Sequence, residues 1–234
     1  TTSVAGRSVN GQPEPSHIYT EQEFNIGQTL DNQYAKAKYE AEKLVLDSIL
    51  HHGLNAKILR VGNLSARCTD GEFQINFQSN NFMATIRAYQ TLGVCPYELL
   101  DAPCEFSPID EVADAVLRLA TTPKACVIFH PTNPHKQLIG DVLREMNIPQ
   151  AIRPIEANEF AVIMQEALSD EQLAVKLRPL MAYKQKGNKA PISIQATNAY
   201  TTQVLHRLGF HWSVTSWDYV RRFLQAIAGM GYFD

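Results

Sequence analysis

Apolar and polar positions along this chain fall into blocks of helical and strand period, and the blocks change character near residue 135. From Asp31 to about His52 the apolar residues Ala37, Ala41, Leu44, Val45 and Ile49 recur at the spacing of one helical face. Asp31 is placed as the N-cap of that helix and Gly53 as the glycine just past its end. Ala56 to Leu64, with Ile58, Leu59 and Val61 at its centre, reads as a buried strand. A helix passing directly into a buried strand is half of a βαβ unit.

A second helix is predicted from about Asn81 to Leu92, and a short extended piece over 101–107. Ser107 and Pro108 then read as a hydroxyl cap and a first-turn proline. They open a helix whose stripe is Ile109, Val112, Ala113, Val116, Leu117 and Ala120. Ala125 to Phe129 reads as a second buried strand, closed by Pro131. Beyond Pro134 helical patterns are predicted over roughly 136–146, 157–168, 170–184, 198–208 and 216–230. At the other end, residues 1–6 read as the end of a strand. Residues 7–31, with Gly11, Pro13, Pro15 and Gly27, read as a long irregular connection of the kind that often carries function. An opening without Met, inside what reads as a strand, suggests a piece of a longer polypeptide.

Composition narrows the classes. Of the 234 residues 45% are hydrophobic, enough to build a core, and 19% are charged with a formal net charge of -3. No basic block argues for nucleic acid, no apolar run approaches a membrane span, and no signal peptide opens the chain. Cys68, Cys95, Cys104 and Cys126 form no CxxC pair, which fits reduced thiols in a cytoplasmic protein rather than a zinc or dithiol site. His206 and His211 are five apart with no acidic third ligand placed to join them, so no metal is expected.

The candidate chemistry lies at the start of the first long helix. Tyr34 and Lys38 are four apart, so both side chains share one face, one turn apart. An ammonium beside a phenol favours the phenolate, which makes such a pair a candidate proton donor to a carbonyl under reduction. The spacing occurs twice, since Tyr39 and Lys43 repeat it. Five residues turn a helix by about 500°, so the second pair faces about 140° away and cannot serve the same site.

The segment Asn32-Gln33-Tyr34-Ala35-Lys36-Ala37-Lys38-Tyr39-Glu40-Ala41-Glu42 resembles the active-site helix of extended short-chain dehydrogenases. Ala37 before Lys38, and Ala41-Glu42 after it, match that pattern for Tyr34 and not for Tyr39. More narrowly, several segments resemble the thioester reductase domains that end some nonribosomal peptide synthetases and polyketide synthases, and the related carboxylic acid reductases. These are Arg60-Val61-Gly62-Asn63-Leu64, Asp70-Gly71-Glu72-Phe73-Gln74-Ile75-Asn76-Phe77, Phe106-Ser107-Pro108-Ile109-Asp110, Phe129-His130-Pro131-Thr132-Asn133-Pro134 and Leu208-Gly209-Phe210-His211-Trp212.

The resemblance implies an α/β fold: the C-terminal part of a Rossmann-like parallel-sheet domain over 1–64 and 106–135, and a mainly helical substrate- or carrier-binding subdomain over 65–105 and 136–234. It implies reduction by NADPH of an acyl or peptidyl thioester carried on the phosphopantetheine arm of a carrier domain, giving an aldehyde or alcohol. Tyr34 would give the proton, Lys38 would hold the nicotinamide ribose, and Thr1 would steady the oxyanion, with Thr2 and Ser3 as rival hydroxyls. Val61, Gly62, Asn63 and Leu64 would contact the nicotinamide through their backbone. Asp70, Phe73 and Gln74 would line the substrate channel, although a purely structural loop accounts for them equally. The chain departs from the family in having no GxxGxxG or GxGxxG, the loop that grips the cofactor's pyrophosphate. Two other readings stay open: a truncated or degenerate module that only docks a carrier domain, and an acyl-CoA reductase.

Overall fold

Local sequence builds a chain of short strands and longer helices. The computed structural model describes residues 2–6, 9, 18–30, 33–76, 80–145, 152–181 and 195–232. In order these hold β1 (Ile18–Tyr19), α1 (Gln33–His52), β2 (Ile58–Leu59), β3 (Leu64–Ser65), α2 (Asn81–Leu92), β4 (Val94–Pro96), α3 (Tyr97–Leu100), β5 (Pro103–Glu105), β6 (Ser107–Pro108) and α4 (Ile109–Ala120). There follow β7 (Ile128–Phe129), β8 (Lys136–Leu138), α5 (Ile139–Glu145), β9 (Arg153–Ile155), α6 (Ala157–Ala167), α7 (Glu171–Lys176), β10 (Gln195–Ala196), α8 (Ala199–Arg207) and α9 (Trp217–Gly229).

The chain divides into two compact units, each discontinuous in sequence. The first comprises Thr1–Leu64, Phe106–Pro134 and Ile192–Ser213. Two parallel pairs organise it: β2 beside β7, with Ile58 opposite Ile128 and Leu59 opposite Phe129, and β1 beside β10. Parallel neighbours need a long crossover, which is why the partners lie far apart in sequence. One core joins Val112, Ala115 and Leu119 of α4 to Phe129, Leu205 of α8, Phe210 and Trp212. A smaller one gathers Val4, Ala5 and Tyr19, with Tyr39 of α1 against it. The sequence pattern grouped 192–213 with the helical remainder, whereas here α8 packs on α4 in the first unit.

The second unit comprises Ser65–Glu105, His135–Pro191 and Val214–Asp234. Its α2 is capped by the Asn80 side chain, which accepts from the Phe82 and Met83 amides, and ends at Gly93 in the left-handed conformation. Tyr89, Val94, Cys95, Ile155, Phe160, Met164, Leu177 and Leu180 form its core. β4 pairs parallel with β9, and β5 pairs antiparallel with β8. Helix α9 opens with the Ser216 hydroxyl accepting from the Tyr219 amide and buries Tyr219, Val220, Phe223, Leu224 and Ile227. Among the described residues no helix is long and apolar enough to cross a membrane.

The mixed α/β class expected from sequence is present, and several details differ. Thr2–Ala5 is a 3-10 turn rather than a strand end, closed by Gly6 at φ 72. A side chain at Gly6 would place its first carbon 2.6 Å from the Thr29 carbonyl oxygen, so only glycine fits. The Ala56–Leu64 strand shrinks to Ile58–Leu59 in register, extended by the Arg60 amide donating to the Phe129 carbonyl. Pro108 is the N-cap residue of α4 rather than its first helical residue, and no side chain caps it; the Ser107 hydroxyl instead accepts from the Asn133 amide. β8, β9 and β10 lie where only helices were expected, because two or three residues are too few to show a period. The Asp31 cap falls outside the described residues.

Candidate active site

Helix α1 presents the candidate chemistry on its open side. It buries only Ala35 and Glu42, seven residues apart and so nearly in phase. The arc carrying Tyr34, Ala37, Lys38, Ala41 and Leu44 is exposed, so the expected apolar stripe through Ala37, Ala41 and Leu44 is not the face that packs. Tyr34 is 56% exposed. The Lys38 ammonium lies 5.6 Å from the centre of the Tyr34 ring, within cation–π range. Tyr39 does something else. Its ring stacks on Phe24 with centroids 4.4 Å apart, and burial, then the charge of Glu40, push its hydroxyl's pKa up. Of the two tyrosine–lysine pairs, the Tyr34 pair is the accessible one.

The strand after α1 ends at the second candidate feature. Backbone bonds of 2.8 Å tie Ile58 to Val127 and Arg60 to Phe129, so β2 stops beside β7 at Arg60. Val61 and Gly62 are half-buried beyond it, and Asn63 and Leu64 are exposed. The Asn63 carbonyl accepts from the Ser107 amide at 2.9 Å. Ser107 in turn is linked to Asn133, whose side-chain amide donates to the Ser213 carbonyl at 3.0 Å. These bonds fix the loops at the carboxyl ends of β2 and β7, the edge where ligands of open α/β sheets bind.

Below that edge lies a polar network that sequence reasoning missed. Arg60 is wholly buried. Its Nη2 and Nε donate to the Glu42 carboxylate at 2.8 and 3.0 Å, and its Nη1 donates to the Glu23 carbonyl at 3.0 Å. The same Nη1 lies 3.1 Å from His130 Nε2, and the Tyr19 ring covers the guanidinium at 4.8 Å. Burial, eased by Arg60, still lifts the Tyr19 phenol to about 12. Nearby, Glu21 accepts from both the amide and the hydroxyl of Thr201 at 2.9 Å, and the Thr201 hydroxyl accepts from the His130 amide at 2.7 Å. The signal available in sequence was phase: Glu42 shares the buried face of Ala35.

The remaining candidates lie elsewhere. In the second unit, Asp70 accepts from Arg67 at 2.6 and 3.0 Å and from the Glu72 amide at 3.0 Å. The Glu72 amide first, and Arg67 next, hold its carboxyl below the usual range. Phe73 is buried, edge-on to Phe223 with centroids 4.9 Å apart. Gln74 is half-buried and donates to the Asn76 carbonyl at 3.3 Å. Asp70 thus closes its own turn, and Phe73 roots the loop in the core. Thr1 lies outside the described residues. In the first unit His206 stacks on His211 at 4.5 Å; among the described residues no three His, Cys, Asp or Glu side chains are grouped to hold a metal.

The site fits the nicotinamide end of a dinucleotide. A phenol and an ammonium stand together on an open helix face, and Asn63 and Leu64, just past the strand end, are exposed.

Comparison with known proteins gives the same direction. Residues 2–116 match the family model of the NAD-binding male sterility protein. No curated protein matches the chain. Among solved structures, a thiolation-reductase di-domain from an archaeal nonribosomal peptide synthetase is 28% identical with a TM-score of 0.79, over 100% of this chain and 48% of that one. The reductase domain of the aureusimine biosynthetic cluster is 20% identical with a TM-score of 0.79, over 99% of this chain and 59% of that one. The terminal reductase domain of the myxalamid pathway is 21% identical with a TM-score of 0.79, over 99% and 57%. The last two likenesses bear on fold alone. The chain therefore spans between 48% and 59% of the length of these three structures. Residues 2–116 thus match an NAD-binding family model, and the chain as a whole shares the fold of these reductase domains.

Proposed function

We propose that this domain reductively releases an acyl or peptidyl thioester from the phosphopantetheine arm of a carrier domain, with NADPH as the reductant. The observation that carries the reading is the exposed Tyr34 with Lys38 5.6 Å from its ring centre. The archaeal relative, a thiolation domain joined to a reductase, supports the choice of partner. In this reading the first unit holds the nicotinamide half of the cofactor, and the second serves the substrate and carrier.

NADPH, when bound, supplies a hydride to the thioester carbonyl carbon. The chain's own groups do the rest. Tyr34 gives its hydroxyl proton to the oxygen that gains negative charge, and Thr1 steadies that oxygen with a hydrogen bond. Lys38 holds the ribose and favours the phenolate left on Tyr34. The backbone of Val61, Gly62, Asn63 and Leu64 orients the nicotinamide. The carbon–sulfur bond of the reduced substrate then breaks. The oxygen returns its proton, the aldehyde departs, and the carrier sulfur leaves as a thiol. The balance is one hydride and one proton consumed for one aldehyde and one thiol. A second round on the aldehyde gives the alcohol. Asp70, Phe73 and Gln74 are assigned to the acyl channel, with Phe73 anchoring the loop and Gln74 as its polar contact.

The test is NADPH consumption by the full polypeptide with an acyl thioester loaded on its carrier domain, with the aldehyde trapped as it forms. Turnover that falls roughly 10²–10⁴-fold in Tyr34→Phe, with carrier binding unchanged, supports the proposal. Carrier binding without NADPH consumption overturns it in favour of a docking module. Equal turnover of an acyl-CoA replaces the carrier with a free thioester.

A further inference from the structure

Among the described residues Arg60 is the bulkiest wholly buried side chain, and a buried cation is tolerated only when its N–H groups face acceptors. Glu42 and the Glu23 carbonyl supply three of those contacts, and His130 Nε2 faces Nη1. Arginine cannot accept a hydrogen bond, so Nε2 must carry the lone pair. The other ring nitrogen, Nδ1, meets the Thr197 carbonyl, which can only accept, so Nδ1 must carry the hydrogen. The geometry thus fixes one tautomer of a neutral imidazole.

The network ties together the two elements that bear the candidate site. Glu42 is one turn beyond Lys38 on α1, a rise of about 6 Å, and it is the buried polar anchor of that helix. Arg60 directly precedes Val61. We propose that His130 is a positioning residue for hydride transfer: as the neutral Nδ1–H tautomer it holds Arg60 against Glu42, and that pair sets Lys38 in register with the Val61–Leu64 strand end. This rests on the reading of Tyr34, Lys38 and Val61–Leu64 given above, and it adds a residue that touches neither substrate nor cofactor.

The surroundings of His130 show what protonation would do. Arg60 faces it from the end of β2, with Glu42 of α1 and the Glu23 carbonyl beyond the guanidinium. Tyr19 of β1 stacks on it at 6.2 Å, and Glu21 stands behind Thr201 of α8. A second proton would remove the acceptor for Arg60 and set two cations face to face. Burial first, and Arg60 with it, push the imidazole's pKa below its ordinary range, against the pull of the Thr197 carbonyl.

The experiment is steady-state reduction of a carrier-bound acyl thioester by the full polypeptide between about pH 5 and 8, comparing the unsubstituted protein with His130→Gln and His130→Ala. Glutamine offers an oxygen to Arg60 and an N–H toward Thr197 and does not titrate. The expected result is an acid limb that is lost in His130→Gln, and a KM for NADPH raised roughly 10- to 100-fold in His130→Ala but restored in His130→Gln. Turnover with the same acid limb in His130→Gln, or equal kinetics in the two variants, overturns the positioning role alone. A protein that consumes no NADPH at any pH overturns the functional reading and this role with it. If the variants do not fold, nitrogen NMR of the unsubstituted imidazole decides. Persistence of the Nδ1–H tautomer into acid is expected; an Nε2–H tautomer, or protonation near the usual pH of about 6.5, overturns the inference.

Discussion

The Lys38 ammonium stands 5.6 Å from the centre of the Tyr34 ring, while Tyr39, five residues on, stacks its ring on Phe24. The two tyrosines of one helix therefore have different fates on substitution. Tyr34→Phe is expected to lower kcat by roughly 10²–10⁴-fold while leaving the melting temperature little changed, because the residue is more than half exposed. Tyr39→Phe is expected to leave kcat within about twofold, since its ring and not its hydroxyl packs. Parallel kinetics and thermal melts of both variants check this, and equal losses of rate would contradict the assignment of Tyr34.

Removing one half of the buried pair strands the other. Arg60→Ala or Glu42→Ala is expected to destabilise the fold by about 3–5 kcal/mol, because the remaining charge stays buried without its counter-ion. The double variant should lose less than the sum of the two. Denaturant titrations of the three variants give the coupling; additive losses would show that the pair acts as two independent surface charges.

Stability should fall on the acid side. His130 has a lowered pKa in the fold, so the unfolded chain binds a proton that the native state resists. The contribution is fully present above the unfolded value of about 6.5 and is lost as pH falls toward the folded value, at up to about 1.4 kcal/mol per pH unit. Melting curves across that window should show the decline in the unsubstituted protein and a flatter course in His130→Gln.

Thiol reactivity should divide the four cysteines. Burial raises Cys95 to about 11, and burial with the charge of Glu105 raises Cys104 to about 12. Cys68 and Cys126 are only partly buried. Alkylation of the native protein near pH 8, read by peptide mass, should label Cys68 and Cys126 well before Cys95 and Cys104. Denaturant should abolish the difference.

Legibility in the sequence followed the length of each pattern. α1, α2 and α9 repeat their period over three turns or more, and their ends carry recognisable caps in Gly53, Asn80 and Ser216. Strands β8, β9 and β10 hold two or three residues, too few for alternation to declare itself. The Tyr34–Lys38 pair was legible because its partners share one helix. The Arg60 network was not, because Glu42 lies 18 residues from Arg60 and His130 lies 70. Nothing local announces that a histidine after one strand will receive an arginine from another. The exposed arc of Ala37, Ala41 and Leu44 has the converse cause: periodicity shows which residues share a face, and not which face is covered.

The bond between Glu21 and Thr201 spans 180 residues, and β1 meets β10 across a similar stretch. During synthesis the first unit therefore cannot close until its last segment, near Ser213, has left the ribosome. By then most of the second unit has already been made. Contacts this distant in sequence form slowly, since a large loop must be closed before any of them is gained. The nascent chain must keep Val4, Ala5 and Tyr19 from straying while the residues between them and Ser213 are made, and this segment is where misfolding should begin.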